Sequence, residues 1–242
     1  MAVKRMSYAE AAVLAVANAM REDPRVVVMG EDVGRGGIFQ QYKGLQATFG
    51  AQRVIDTPIS EATIVGAGVG MALVGMRPVV EMRVVDFALC AMDEIVNQAA
   101  KNRYMFGGHA RTPLVIRATY GAGTRSAAQH TQAFYPIFTH VPGLKVVIPS
   151  NPYDAKGLLL QAIRDDDPVI FLENKMLYDT MGEVPDGAYT VPFGEARVVR
   201  DGKDVMIVAI GRMVHIAEEA ARKLQSEGIS ACVIDPRTTS PL

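Results

Sequence analysis

Asp56 to Met82 reads DTPISEATIVGAGVGMALVGMRPVVEM, and the fold turns on which part of it is strand and which is helix. If IVGAGVGM were a strand running into a glycine turn, Gly66 and Gly68 would open a dinucleotide fingerprint. A third glycine then belongs where Met71 stands, and Glu81 follows Gly68 by thirteen residues where about 20 are needed for the helix and returning strand. The spacing favours the other reading. RVIDTP is the strand, and Ser60 to Met76 is a helix with Gly66 and Gly70 one turn apart on one face, where another backbone can approach closely. Glu61 falls on its first turn, where an acid is favourable for helix stability alone.

Working outward, Ser7 and Glu10 have capping-box spacing ahead of an Ala-rich stretch to about Arg21, which predicts an opening helix. RVVVMGED follows as a short strand buried on two faces. Similar apolar runs recur at PVVEM, PLVIRA, LKVVIP, PVIFLE, DVMIVAIG and ACVIDP. Asp86 to Tyr104, Pro152 to Asp165 and Met213 to Ser226 have helical period. The alternation predicts an α/β fold with a mainly parallel sheet flanked by helices, and ligands in such folds sit beyond the carboxyl ends of the strands. Three parts are expected: a first domain over 1–185, a linker over 186–203 in the Gly- and Pro-punctuated stretch, and from 204 to 242 the beginning of a second α/β domain. One helix and two strands cannot close a sheet, so further chain or a partner is expected to complete it.

Lys and Arg number 25 against 26 Asp and Glu, a formal charge of -1, so no global electrostatic attraction favours nucleic acid or an anionic membrane. The most apolar stretch, Ala62 to Met76, is diluted by four glycines and too short for a bilayer span of roughly 20 residues. The N-terminal pattern is amphipathic rather than that of a secretory signal, which points to the cytoplasm. Cys90 and Cys232 stand alone and are expected to be buried, reduced thiols.

Glu61, four intervening residues, then Gly66, Ala67 and Gly70 resembles the pyrimidine-domain motif of thiamine-diphosphate enzymes, with Met71 where Gln sometimes follows. DTPISE, VDFALCAMDEIVNQAAKNRYMFGG, AAQHTQAF, HVPGLKVVIPSNPYDAKGLLLQAIRDDDPVIF and DPRTTSPL occur in order. Together they are similar to the beta subunit of the thiamine-dependent first component of 2-oxo acid and acetoin dehydrogenase complexes, a transketolase-like family, over essentially the whole chain. RYMFGG, NPYDAKGLLLQAIRDDDPV, GEVP and VPFGEA resemble the acetoin branch most, although the branches share most of these residues.

The resemblance implies a thiamine-diphosphate-binding fold and assigns roles residue by residue. Glu61 would hydrogen-bond the ring nitrogen of the cofactor's aminopyrimidine, whose exocyclic nitrogen then acts as the base. That requires a carboxyl able to hold a proton near neutral pH, for which Ile59, Ile64 and Val65 are the expected apolar surroundings. His130, in AAQHTQ, would donate or orient a proton at the reacting centre, and otherwise reads as a cap of the following element. Phe87 would pack on the aminopyrimidine, or is a core aromatic, while Asp86 reads as the N-cap of its helix. Some relatives bind potassium through backbone carbonyls at positions matching Leu114, Ala162, Ile163, Asp165 and Asp167; Asp165 to Asp167 reads equally as a solvated helix end. His109, His140 and His215 carry no motif.

Magnesium and the diphosphate are held in this family by a GDG motif with later asparagines, oxygen ligands for a hard cation. Asp201-Gly202, in RDGKD, does not supply it. The resemblance therefore implies an alpha subunit, two alpha and two beta chains together, and a lipoyl-bearing acyltransferase downstream. Two other readings compete: a non-catalytic scaffold using its glycine helix for association, and an NAD-binding oxidoreductase.

Overall fold

The computed structural model describes residues 2–242. Strand β1 (Val3–Ser7) leads into helix α1 (Tyr8–Glu22), so the chain opens with a strand and not directly with the helix. The expected capping box is present: the Glu10 amide donates to Ser7 Oγ at 3.2 Å and the Ser7 amide to Glu10 Oε2 at 2.7 Å. The order continues β2 (Val26–Gly30), α2 (Leu45–Phe49), β3 (Val54–Asp56), α3 (Glu61–Leu73), β4 (Arg77–Val84), α4 (Asn102–Met105), β5 (Val115–Tyr120) and α5 (Tyr135–Thr139). After these come β6 (Lys145–Val147), α6 (Pro152–Arg164), β7 (Val169–Asn174), β8 (Met181–Pro185), β9 (Arg197–Arg200), β10 (Val205–Val208), α7 (Arg212–Ser226), β11 (Ala231–Asp235) and β12 (Thr238–Ser240).

The main sheet has the order β12-β6-β7-β5-β4-β2-β3, parallel throughout except for β12. The period of two along each strand sorts its side chains between two cores. Val26, Val28, Val79, Val115, Val169 and Phe171 face α1 and α6, while Met29, Val80, Ile116, Ile170 and Leu172 face α3 and the segment after β4. This double burial is why the strands read as continuous apolar runs.

In α3 the expected close approach at Gly66 and Gly70 is not made within the chain. A Cβ at Gly70 would meet nothing within 4 Å, and one at Gly66 only Glu94 Cγ at 3.5 Å. Gly68, on the sheet side, is the glycine that packing requires: a Cβ there would stand 2.8 Å from Val80 and 3.0 Å from Leu114.

The helical pattern from Asp86 to Tyr104 is broken into three pieces: a 3-10 segment Val85–Ala91, a π segment Glu94–Ala99, and α4. Arg197–Arg200, inside the stretch expected to be linker, forms β9, which joins a three-stranded sheet of order β10-β11-β9 with α7 against it. Strand β12 leaves that unit and pairs antiparallel with β6. Strands β1 and β8, which the apolar runs did not announce, form a separate antiparallel pair. Among the described residues no helix is long and apolar enough to cross a membrane. Cys232 is buried as expected, whereas Cys90 is exposed, on the 3-10 segment.

Candidate active site at the carboxyl ends of the sheet

The segments after β3, β4 and β5 leave the sheet at its carboxyl end, and each carries one of the side chains singled out above. Glu61 is the first residue of α3, half-buried, and no side chain or backbone donor among the described residues pairs with its carboxylate. Of its expected apolar surroundings, Ile64 and Val65 turn into the core, while Ile59 stands 74% exposed. The chain by itself therefore leaves one flank of Glu61 open.

Strand β4 ends in an irregularity. Its register with β5 shifts between Glu81 and Val84, and Arg83 takes a left-handed φ of 54°. Three contacts hold that backbone: the Arg83 amide donates to Glu81 Oε1 at 2.8 Å, its carbonyl accepts from Thr119 Oγ1 at 2.6 Å, and its guanidinium pairs with Glu31 at 3.0 Å. The kink turns the chain into Val85–Ala91, where Asp86 is buried and Phe87 half-buried. Asp86 is not the expected N-cap. Val84 occupies that position, and Asp86 Oδ1 instead accepts from Gln132 Nε2 at 2.7 Å, while Asp86 Oδ2 is buried without a hydrogen-bond partner among the described residues.

After β5, residues 121–134 loop outward and return, with Arg125 and Ala127 at positive φ of 55° and 62°. His130 lies exposed in a one-turn 3-10 helix, so its side chain caps no element. The rings of Phe87 and His130 meet at 83° with centroids 5.2 Å apart, an edge contact of the favourable kind. The backbone carbonyl of His130 accepts a hydrogen bond from Lys175 Nζ, which comes from the segment after β7. Burial pulls the Lys175 ammonium below its usual range, and the charge of Asp86 opposes that shift. The pairings of Asp86 with Gln132 and of Lys175 with the His130 carbonyl escape sequence reading because they join residues 46 and 45 apart; a lysine in ENKMLYD carries no signal that it reaches a histidine.

A second buried cluster underlies the same strand ends. Arg117 on β5 is fully buried and binds Glu173 of β7 through Nε (2.5 Å) and Nη2 (3.0 Å), with Tyr42 under its guanidinium at 4.8 Å. Tyr42 donates to Glu81 at 2.7 Å, and burial pushes the Glu81 carboxyl up to about 7 against the opposing charge of Arg117.

The carbonyls implied for potassium lie at the other end of the sheet, and four of the five are already engaged. Arg77 Nη1 donates to Ile163 O at 3.1 Å and Asp165 O at 2.9 Å; Leu114 O accepts from Val169 N and Ala162 O from Asp165 N. Asp165, Asp166 and Asp167 are not a free solvated helix end: they pair with Lys145, Arg77, Arg111 and Arg103. The Arg77 guanidinium takes two of the five implied carbonyls, so this arrangement does not fit potassium held by all five. No group of three or more His, Cys, Asp and Glu among the described residues is placed to hold a metal ion. His109 and His140 are exposed, and His215 Nε2 contacts Ser150 O at 2.7 Å.

For thiamine diphosphate the residues fit. An unpaired acid among the described residues, and a half-buried aromatic ring in contact with an exposed imidazole, stand on segments leaving the carboxyl edge of a parallel sheet, and α3 has space at Gly70. Residues 4–181 match the family described as transketolase, pyrimidine binding domain, and residues 194–242 match transketolase, C-terminal domain. The chain belongs to this transketolase-like family, among the beta subunits of dehydrogenase first components.

It is similar to the acetoin:2,6-dichlorophenolindophenol oxidoreductase subunit beta of Cupriavidus necator, 56% identical over 94% of this chain and 70% of that one. The Bacillus subtilis protein of the same name is 51% identical, over 93% and 69%. The 2-oxoisovalerate dehydrogenase subunit beta of B. subtilis is 48% identical, over 98% and 73%. Among solved structures, an inactive beta4 tetramer of a split-gene transketolase superposes with a TM-score of 0.76 at 26% identity, covering 95% of this chain and 71% of that one.

Proposed function

We propose that this chain is the beta subunit of a thiamine-diphosphate-dependent dehydrogenase component that cleaves acetoin or decarboxylates a 2-oxo acid such as pyruvate. In this reading the acyl group passes to the lipoyl group of an acyltransferase. The observation that carries it is the Glu61 carboxylate, unpaired at the start of α3 at the carboxyl edge of the sheet. When bound, thiamine diphosphate would supply a nucleophilic ring carbon for chemistry at a substrate carbonyl.

Glu61 holds a proton against the ring nitrogen of the aminopyrimidine, Phe87 offers a flat apolar surface to that ring, and His130 orients or delivers a proton at the substrate oxygen. Glu61 needs an apolar wall that this chain leaves open beside Ile59. An alpha subunit closing over that flank would exclude water from it. The same alpha subunit supplies the magnesium and diphosphate ligands, in an assembly of two alpha and two beta chains located in the cytoplasm. The acetoin reading is supported by relatives so named at 56% and 51% identity, beside 48% for the 2-oxoisovalerate enzyme.

The test is Glu61→Gln in the chain coexpressed with alpha, assayed on acetoin, pyruvate and branched-chain 2-oxo acids with an artificial electron acceptor. Loss of the proton-holding group costs roughly 100-fold or more in turnover, with an unchanged melting temperature. Retained turnover refutes the role of Glu61, and a pyruvate preference refutes the choice of acetoin.

A further inference from the structure

Beneath the Phe87–His130 contact lie two nearly buried groups of opposite charge that the reaction as outlined does not use. Asp86 is 6% exposed and Lys175 is 7% exposed. They reach the same short segment from two sides: Asp86 Oδ1 takes the Gln132 side-chain amide at 2.7 Å, and Lys175 Nζ donates to the carbonyl of His130. A further backbone bond, Gly121 N to Gln132 O at 3.0 Å, closes the base of the loop.

Between these anchors the loop has little else to hold it. Arg125 and Ala127 are in left-handed conformations, and the bonds of Thr124, Ser126 and Thr131 stay within the loop itself. Backbone in such conformations persists only where its surroundings determine it. The imidazole meets the Phe87 ring, while the bonds from Asp86 and Lys175 reach the Gln132 side chain and the His130 backbone carbonyl.

A neutral pair of similar shape could fill this space, so the use of charge needs a reason. An ammonium donates more strongly to the His130 carbonyl than a neutral amine does, and burial works against that charge. The charge of Asp86 counters that shift.

We propose that Asp86 and Lys175 are positioning residues: together they form a charge-balanced clamp that holds segment 128–132 so that His130 meets the substrate. The inference rests on the proposed role of His130, but the clamp itself can be examined without turnover. In the chain coexpressed with alpha, Lys175→Met and Asp86→Asn are compared with Lys175→Arg and the parent by hydrogen–deuterium exchange of peptides spanning 121–134 and by steady-state kinetics.

The charge-assisted bond to the His130 carbonyl corresponds to roughly 10- to 100-fold. Lys175→Met and Asp86→Asn should speed exchange in 121–134 and lower kcat by about that factor, with KM within twofold. Lys175→Arg, which keeps charge and donor, should restore much of kcat. Unchanged exchange and kcat in Lys175→Met overturn the clamp, as does an equal loss in Lys175→Arg. If Glu61→Gln keeps full turnover while Lys175→Met still loosens 121–134, the clamp stands and the functional reading falls. If Glu61→Gln abolishes turnover and Lys175→Met changes nothing, the reverse holds.

Discussion

Replacing Arg117 by Met tests the scaffold from which the site loops depart. Arg117 and Glu173 are 0% and 1% exposed at the side chain, so neither can regain water when the other is lost. The change removes two hydrogen bonds to Glu173, one to Gln41 O at 3.2 Å, and the cation lying over Tyr42 at 4.8 Å. It leaves Glu173 buried with only the Tyr178 hydroxyl, 3.1 Å away, as donor. Stranding one member of a buried pair costs about 3–5 kcal/mol, of which the uncompensated charge is the larger part. For a chain of this size that lowers the melting temperature by about 6–20 °C. The double variant Arg117→Met, Glu173→Leu removes both charges and should recover most of the loss, since apolar replacement of a buried pair is often neutral. Thermal and urea melts of the full chain decide the matter. A single variant within about 1 kcal/mol of the parent, or a double variant no better than the single, would show that the charge pair is not what holds β5 to β7.

Other expectations concern charge, packing and ions. Because the Glu81 carboxyl is raised from 4.5 to about 7, the folded state binds the extra proton, so its stabilising contribution is whole below about pH 4.5 and gone above about 7. Glu81→Gln should flatten the stability profile across that window, and an unchanged slope would contradict it. Gly70→Ala, with open space at its Cβ, should stabilise the chain by up to about 1 kcal/mol through helix propensity while weakening assembly with alpha. Gly68→Ala drives a methyl against Val80 and Leu114, and overpacking of about 1–3 kcal/mol cancels or exceeds that gain. Comparing the two melts separates a helix that only needs small residues from one packed at Gly68. With Arg77 on the Ile163 and Asp165 carbonyls, exchanging potassium for sodium should leave the melting temperature unchanged, and a potassium-specific rise would overturn that assignment.

Local signals carried far because they rest on short-range physics. The glycine spacing that excluded a dinucleotide turn, the apolar runs of β2, β4, β5 and β7, and the capping box at Ser7 each depend on residues within one element. The same locality explains the misses. Strands β1 and β8 are half-exposed and pair only with each other, so no run of apolar residues betrays them. The 85–105 stretch has helical composition, yet turns into three pieces where it follows the kink at Arg83 and packs on α3.

The candidate site divides along the same line. Sequence alone determined that Glu61 opens a helix after a strand and that Phe87 and His130 lie in segments following others, because periodicity and spacing are written into adjacent residues. Only tertiary structure decided that Phe87 meets His130, that Asp86 accepts from Gln132 rather than capping a helix, that Gly68 rather than Gly70 touches the sheet, and that Arg77 binds carbonyls at the end of α6. Each of those facts depends on which strands lie side by side, and strand order is set by burial across the whole sheet, which no single segment encodes.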